Sequence, residues 1–169
     1  KKHTGLSSNF VRSLLYDDSG SMWIGLIGNA AGVNRIRIPK REEWLNLFGN
    51  ANSNTDEEIT HYLTSNSVYD IEEDSKGNIW IAADTHGIFS YDPEKDEFRN
   101  YRVKSETPNY LPSFSINTVY CDPSGFVWGG LENGELIRLN PGYEADSYKI
   151  KKYIPENIGL EIVPVKVNQ

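Results

Sequence analysis

The sequence predicts an all-β fold assembled from about three repeating four-stranded antiparallel units that stop short of a closed ring. Three observations predict it. A motif recurs three times along the chain without a gap inside it. Each copy holds apolar segments too short for helices, punctuated by Gly, Asp and Pro. The aromatic residues, four Trp, ten Tyr and six Phe, are spread along all 169 positions, as a β-rich core requires.

Aligned on Trp, the first copy runs from Leu6 through Val11, Leu14, Asp17 and Gly20 to Trp23. The second runs from Leu63 through Val68, Ile71, Asp74 and Gly77 to Trp80, and the third from Leu111 through Ile116, Val119, Asp122 and Gly125 to Trp128. In each, Leu and Trp stand 17 positions apart, with Ser at +2, aliphatic residues at +5 and +8, Asp at +11 and Gly at +14. Leu160, preceded by Gly159 as Leu6 is by Gly5, opens a fourth copy, and the Leu to Leu spacings are 57, 48 and 49.

The segment from the +5 aliphatic to the Asp is a first strand. Val68, Asp70 and Glu72 would share one face at period two, so strict alternation fails and the strand is expected to be apolar in part on both sides. The D-x-x-G element closes a hairpin: Asp bonds its own turn backbone, and Gly accepts positive φ. Trp23, Trp80 and Trp128 then sit in the second strand, where each is expected to pack between adjacent sheets. A third strand covers residues 32–36, 87–91 and 134–139, stopped by Pro39, Asp92-Pro93 and Asn140-Pro141. Residues 97–101 and 148–153 supply a fourth. Four short strands in about 45 to 50 residues match a β-propeller blade. This gives a first blade over 1–62 with an insertion near 41–58, a second over 63–110 and a third over 111–159. Residues 160–169 begin a fourth repeat or form a pairing strand.

Composition excludes some partners. With 17 Lys plus Arg against 24 Asp plus Glu, the net charge of -7 repels a phosphate backbone, and no basic run offsets it, so nucleic acid is not expected. The apolar stretches are far shorter than a membrane span, and no signal peptide is visible. The single Cys121 excludes an intrachain disulfide and reads as a packing residue.

Up-and-down connectivity places the loops around residues 7–10, 29–32, 65–67, 84–87, 113–115 and 132–134 at one end of the blades and the D-x-x-G hairpins at the other. Phe10, Asp84, His86, Phe114 and Asn133 therefore stand as candidate ligand contacts, aromatic platforms and hydrogen-bonding groups of the kind that sugars use. Against this, loop Asn and Asp commonly serve turns, and His86 beside Gly87 reads as a turn residue rather than a metal ligand. Asp17, Asp74 and Asp122 could suggest calcium or glycosidase chemistry, but their placement of one per blade beside Gly20, Gly77 and Gly125 argues for turn capping. A sialidase-type Asp-box would place Asp five residues before its aromatic, and these stand six before. No G-x-S-x-G elbow is present, and neither a cofactor nor a metal site is expected.

The motif L-x-S-x-x-[VI]-x-x-[VIL]-x-x-D-x-x-G-x-x-W, with the opening at residues 5–9 and the stretch 74–81, resembles the two-component regulator propeller repeat, best known in gut Bacteroidetes. The resemblance covers residues 1–160. It implies a periplasmic, non-catalytic sensory segment that recognises glycan fragments and signals through a membrane helix to a histidine kinase. The copies also depart from the pattern. Phe114 replaces Asn9 and Asn66, Gly129 replaces the aliphatic after Trp, and residues 41–58 are inserted. Two other classes remain open at this stage: a fragment of a propeller polysaccharide lyase or glycosidase, and a protein-binding propeller scaffold. Three blades do not close a ring, so the expected partners besides an oligosaccharide are further blades of a longer sensor or a second copy associating through edge strands.

Overall fold

The computed structural model describes residues 5–37, 59–84, 86–101, 115–141 and 149–153. Among these, twelve strands form three four-stranded antiparallel sheets, with no helix. The first sheet is β1 (Phe10–Tyr16), β2 (Ser21–Ile27), β3 (Val33–Arg37) and β4 (Ile59–Tyr62). The second is β5 (Val68–Glu73), β6 (Ile79–Ala83), β7 (Gly87–Asp92) and β8 (Glu97–Tyr101). The third is β9 (Ile116–Cys121), β10 (Val127–Leu131), β11 (Leu136–Asn140) and β12 (Lys149–Tyr153). Each is a propeller blade with its strands in chain order, and the three sheets of the described residues do not close a ring. The expected insertion at 41–58 and the expected strand at 160–169 lie outside the described residues.

One departure from period two recurs in every blade. The register shifts between Val11 and Ser13, between Val68 and Asp70, and between Thr118 and Ile116. A single bulged residue, Arg12, Tyr69 or Asn117, is thereby left without a partner. The bulge corrects the expectation of a strand apolar on both sides. It turns the +5 and +8 aliphatics onto the same side, and Val68 and Ile71 are buried in one cluster, as Ile116 and Val119 are in another.

Those clusters lie between sheets. Val68, Ile71, Ile79, Ile81 and Tyr91 of the second blade pack against Trp23 and Val33 of the first. The other side of the second blade, with Trp80, Ala82, Ile88 and Tyr101, packs against Ile116, Val119, Val127, Ile137 and Leu139 of the third. Each interior blade face is thus apolar, and burial on both faces lets such short sheets persist. The Gly129 departure has a packing reason. A Cβ there would stand 3.0 Å from Ile137 Cγ1 and 3.3 Å from Ile88 Cδ1, so neighbouring isoleucines already fill the space.

The Trp expectation holds in two blades and needs correction in the third. Trp23 and Trp80 are buried between sheets, whereas Trp128 is half-buried, because its ring lies on the side of the third blade that no described residue of another blade covers. Within its own blade each Trp meets a Tyr from the fourth strand: Trp23 with Tyr62 at 5.7 Å, Trp80 with Tyr101 at 5.2 Å and Trp128 with Tyr153 at 5.6 Å between centroids. Cation stacking recurs as well, with Arg35 5.0 Å over Trp23 and Arg138 5.6 Å over Trp128.

Candidate functional site

The two ends of the blades do different work. At the hairpin end, each motif Asp backbone N-H bonds the carbonyl four residues on at 2.9 Å, and each motif Gly N-H returns to the Asp carbonyl at 3.0 Å. Gly20, Gly77 and Gly125 have φ of 87°, 80° and 83°, the left-handed region where a side chain is strained. The Asp side chain divides its two oxygens. Oδ1 accepts the backbone N-H of Ser21, Asn78 or Phe126 at 2.8 to 3.0 Å. Oδ2 accepts the indole Nε1-H of Trp23, Trp80 or Trp128 at 2.7 to 2.8 Å. The carboxylate therefore caps the turn and fixes the Trp at once. Turn capping was legible in the sequence, and the indole bond was missed, although the fixed interval of six residues between Asp and Trp was its signal.

Charge supports these bonds. Burial acts to raise the Asp17 carboxyl, but bonds from Ser19, Ser21 and Trp23, together with Arg35, outweigh it and hold the group below its ordinary 3.8. Asp122 is also held low, mainly by the Trp128 indole. The Asp17, Asp74 and Asp122 carboxylates are thus occupied by donors and carry the fold.

The loop end brings residues of three blades together. Asp84, in the turn after β6, receives the Ser115 hydroxyl of the third blade on Oδ1 in a short hydrogen bond. Its backbone N-H bonds Ser67 O at 2.8 Å, and in the third blade Glu132 N-H bonds Ser115 O at 3.1 Å. The first and second blades are joined similarly, by Gly28 N-H to Ser67 Oγ at 3.3 Å. Ser67 and Ser115 occupy the same position of the repeat, +4, and each fastens its blade to the loop of the preceding one; Phe10 stands there in the first copy. Tyr69, a bulged residue, has its phenol pushed up by burial and by the carboxylates of Asp84 and Glu132, with Arg12 opposing.

Of the proposed ligand contacts, Asp84 lies in this cluster. His86 is half-buried beside it, with Nδ1 2.7 Å from Asp84 O and its own carbonyl accepting Asn100 Nδ2-H at 3.1 Å. Asn133 is exposed, and its Oδ1 accepts Glu135 N-H at 3.1 Å within its own turn. Phe10 is exposed at the start of β1, 3.6 Å from the Cβ position of Gly28. Phe114 lies outside the described residues. Sequence reading did not single out Arg12, Tyr69, Ser115 or Glu132. The shared Ser at +4 was a signal for Ser115, while the bulge at Arg12 and Tyr69 had none. Among the described residues, no three His, Cys, Asp or Glu side chains are grouped so as to hold a metal ion. Cys121 packs against the cluster between the second and third blades, and burial, with Asp74, Glu72 and Asp122 adding to it, pushes its thiol up to about 12.

Residues 5–28 and 62–85, which hold the first two copies of the motif, match the family described as two component regulator propeller. No curated protein matches the chain. Among solved structures, the chain is similar to the extracellular domain of a hybrid two component system of B. thetaiotaomicron, at 24% identity and a TM-score of 0.51, over 83% of this chain and 17% of that one. A second such extracellular domain from the same organism matches at 21% identity and a TM-score of 0.58, over 89% and 19%. Virginiamycin B lyase from Staphylococcus aureus matches at 19% identity and a TM-score of 0.61, over 92% of this chain and 44% of the lyase. The chain spans less than half the length of each of these proteins. At such identities the similarity establishes the propeller fold.

Proposed function

We propose that the chain is a non-catalytic sensory segment of a two-component regulator, extracytoplasmic in location, that contributes hydrogen bonds to an oligosaccharide at the loop end of its blades. The observation that carries this reading is the loop-end group of Ser67, Asp84, Ser115 and Glu132, hydrogen-bonded across the second and third blades and tied to the first by Gly28 N-H on Ser67 Oγ, with the Tyr69 phenol beside Asp84. Hydroxyl, carboxylate and phenol groups are the donors and acceptors that sugar hydroxyls pair with. A ligand bridging several blades would favour one relative blade arrangement over another, and that is how binding becomes a signal. The matched repeats and the similarity to extracellular domains of hybrid two component systems support the sensory role and the location. The non-catalytic part is supported by how the motif carboxylates are used: three hold a turn and an indole, and Asp84 holds Ser115.

The test is titration calorimetry of the chain against a panel of oligosaccharides, with the same mixtures followed for product. The expected result is saturable binding to one class without turnover, weakened by Glu132→Gln. Glu132 is exposed, so this substitution leaves the fold intact. Hydrolysis or elimination abolished by replacing one carboxylate would overturn the reading in favour of a lyase or glycosidase. Absence of binding across the panel would overturn the ligand assignment.

A further inference from the structure

The Asp, Gly and Trp of the motif are the same in all three blades, but the residue directly after the Gly is not: it is Ser21 in the first, Asn78 in the second and Phe126 in the third. In the second blade Asn78 Nδ2 donates to both oxygens of Asp74, at 3.2 and 3.0 Å. In the third the Phe126 ring lies 4.5 Å from the Arg138 guanidinium. The small Ser21 of the first blade instead borders a cavity of about 370 Å³, lined by Ser19, Ser21, Arg35, Arg37 and Thr60. Strand register gathers this lining at the hairpin end. Ser21 pairs with Arg37, Trp23 with Arg35, and Arg35 with Thr60, so Ser21, Arg35, Arg37 and Thr60 stand on the face of the blade that carries Trp23.

This lining holds two guanidinium groups and three hydroxyls. Arg35 is fixed in place: Nε donates to Ser21 Oγ at 3.1 Å, Nη1 donates to the Tyr91 hydroxyl of the second blade at 3.4 Å, and the group lies 5.0 Å over the Trp23 ring. A guanidinium has five N-H donors, and these two bonds leave three of them for a ligand. Arg37 is exposed, and among the described residues the ion pair is that of Lys95 with Asp92, so Arg37 keeps its full charge. The carboxylates around the cavity are engaged elsewhere. Asp17 accepts Ser19 Oγ-H, Ser21 N-H and Trp23 Nε1-H, and Asp96 accepts the Tyr91 hydroxyl at 2.7 Å.

We infer that this cavity is an anion site that takes the sulfate or phosphate ester of a small molecule, with Arg35 and Arg37 pairing the ester oxygens and the Ser21 and Thr60 hydroxyls completing the shell. A carboxylate presents two oxygens and is satisfied by one guanidinium fork, whereas a tetrahedral oxyanion presents three and suits two forks with hydroxyls between them. The volume falls within the roughly 300 to 1,000 Å³ of small-molecule sites, which leaves room for the group that carries the anion. Stacking on Trp23 holds Arg35 before the ligand arrives, so little of its freedom is lost on binding. The site lies at the hairpin end and is independent of the loop-end group to which the oligosaccharide is assigned.

Titration calorimetry of the 169-residue chain with glucose 6-sulfate, glucose 6-phosphate, glucuronate and glucose, at matched ionic strength, tests this. The expected result is saturable binding of at least one ester, with glucuronate weaker by about tenfold or more and glucose not bound; the ester held more tightly identifies the source of the anion. Arg37→Gln, at an exposed position, should weaken the ester by about tenfold or more, as loss of a charge-assisted hydrogen bond does, with circular dichroism unchanged. Ser21→Asn, which sets in the first blade the side chain of the second, should fill the cavity and abolish binding. Glu132→Gln at the loop end should leave ester binding as it is, which separates this site from the oligosaccharide reading. Absence of binding by both esters would overturn the proposal, as would glucuronate or glucose binding as tightly. Ester binding that Arg37→Gln leaves unaltered, or that Glu132→Gln removes, would overturn it too, because the anion would then sit elsewhere.

Discussion

Replacing Asp17 by Ala should destabilise the fold far more than a typical turn substitution. The Asp17 carboxylate is 4% exposed and accepts Ser19 Oγ-H at 2.6 Å, Ser21 N-H at 2.8 Å and Trp23 Nε1-H at 2.7 Å. Ser19 can turn its hydroxyl elsewhere, but the Ser21 amide and the Trp23 indole are fixed by strand pairing and by burial. Each buried donor left unpaired costs about 1 to 3 kcal/mol, so the two together give about 2 to 6 kcal/mol, against about 0.5 for a surface change. Asp17→Asn should fall between, since its carbonyl can still accept the Ser21 amide while its NH₂ must face the indole N-H. Urea unfolding followed by tryptophan fluorescence reads the midpoint, with an unchanged slope required for the comparison. A cycle with Trp23→Phe isolates the indole bond. If Asp17→Ala costs below about 0.5 kcal/mol, or costs the same with Phe at position 23, the carboxylate is not the link between turn and Trp.

Three further outcomes follow from the same geometry. Because Asp17 is held below 3.8 in the fold, its stabilisation is fully present above the unfolded carboxylate value and is lost as pH falls through the folded one. The penalty of Asp17→Ala should therefore shrink in acid titrations, and a penalty equal at pH 7 and below pH 3 would contradict this. Trp80→Ala should cost about 3 to 5 kcal/mol as a large deletion from a core. Trp128→Ala should cost clearly less by the same denaturation assay, because its ring is only half-buried. Cys121, with its thiol at about 12, should resist thiolate-directed reagents near pH 8 in the folded chain and react promptly once unfolded. Equal rates in the two states would show that it is accessible.

The sequence by itself determined the repeat, the strand order within each blade and the capping role of Asp17, Asp74 and Asp122. These are local properties: Gly20, Gly77 and Gly125 need only their own φ, and an Asx turn spans four residues. Part of the loop end was legible too, since Asp84 was singled out on residue type and position. What the tertiary structure decided depends on residues far apart in the chain. The bulge at Arg12, Tyr69 and Asn117 is visible only once β1, β5 and β9 are paired with their neighbours, and it alone turns Val68 and Ile71 to one side. Ser115 reaches Asp84 across 31 positions because two sheets stack. Trp23 and Trp128 occupy equivalent positions of the same motif, yet one is buried and the other half-open, because burial belongs to the neighbouring blade and not to the residue. The physical reason is one of range: backbone preference and turn chemistry act within a few residues, whereas packing between sheets is a property of surfaces that exist only after the sheets have formed.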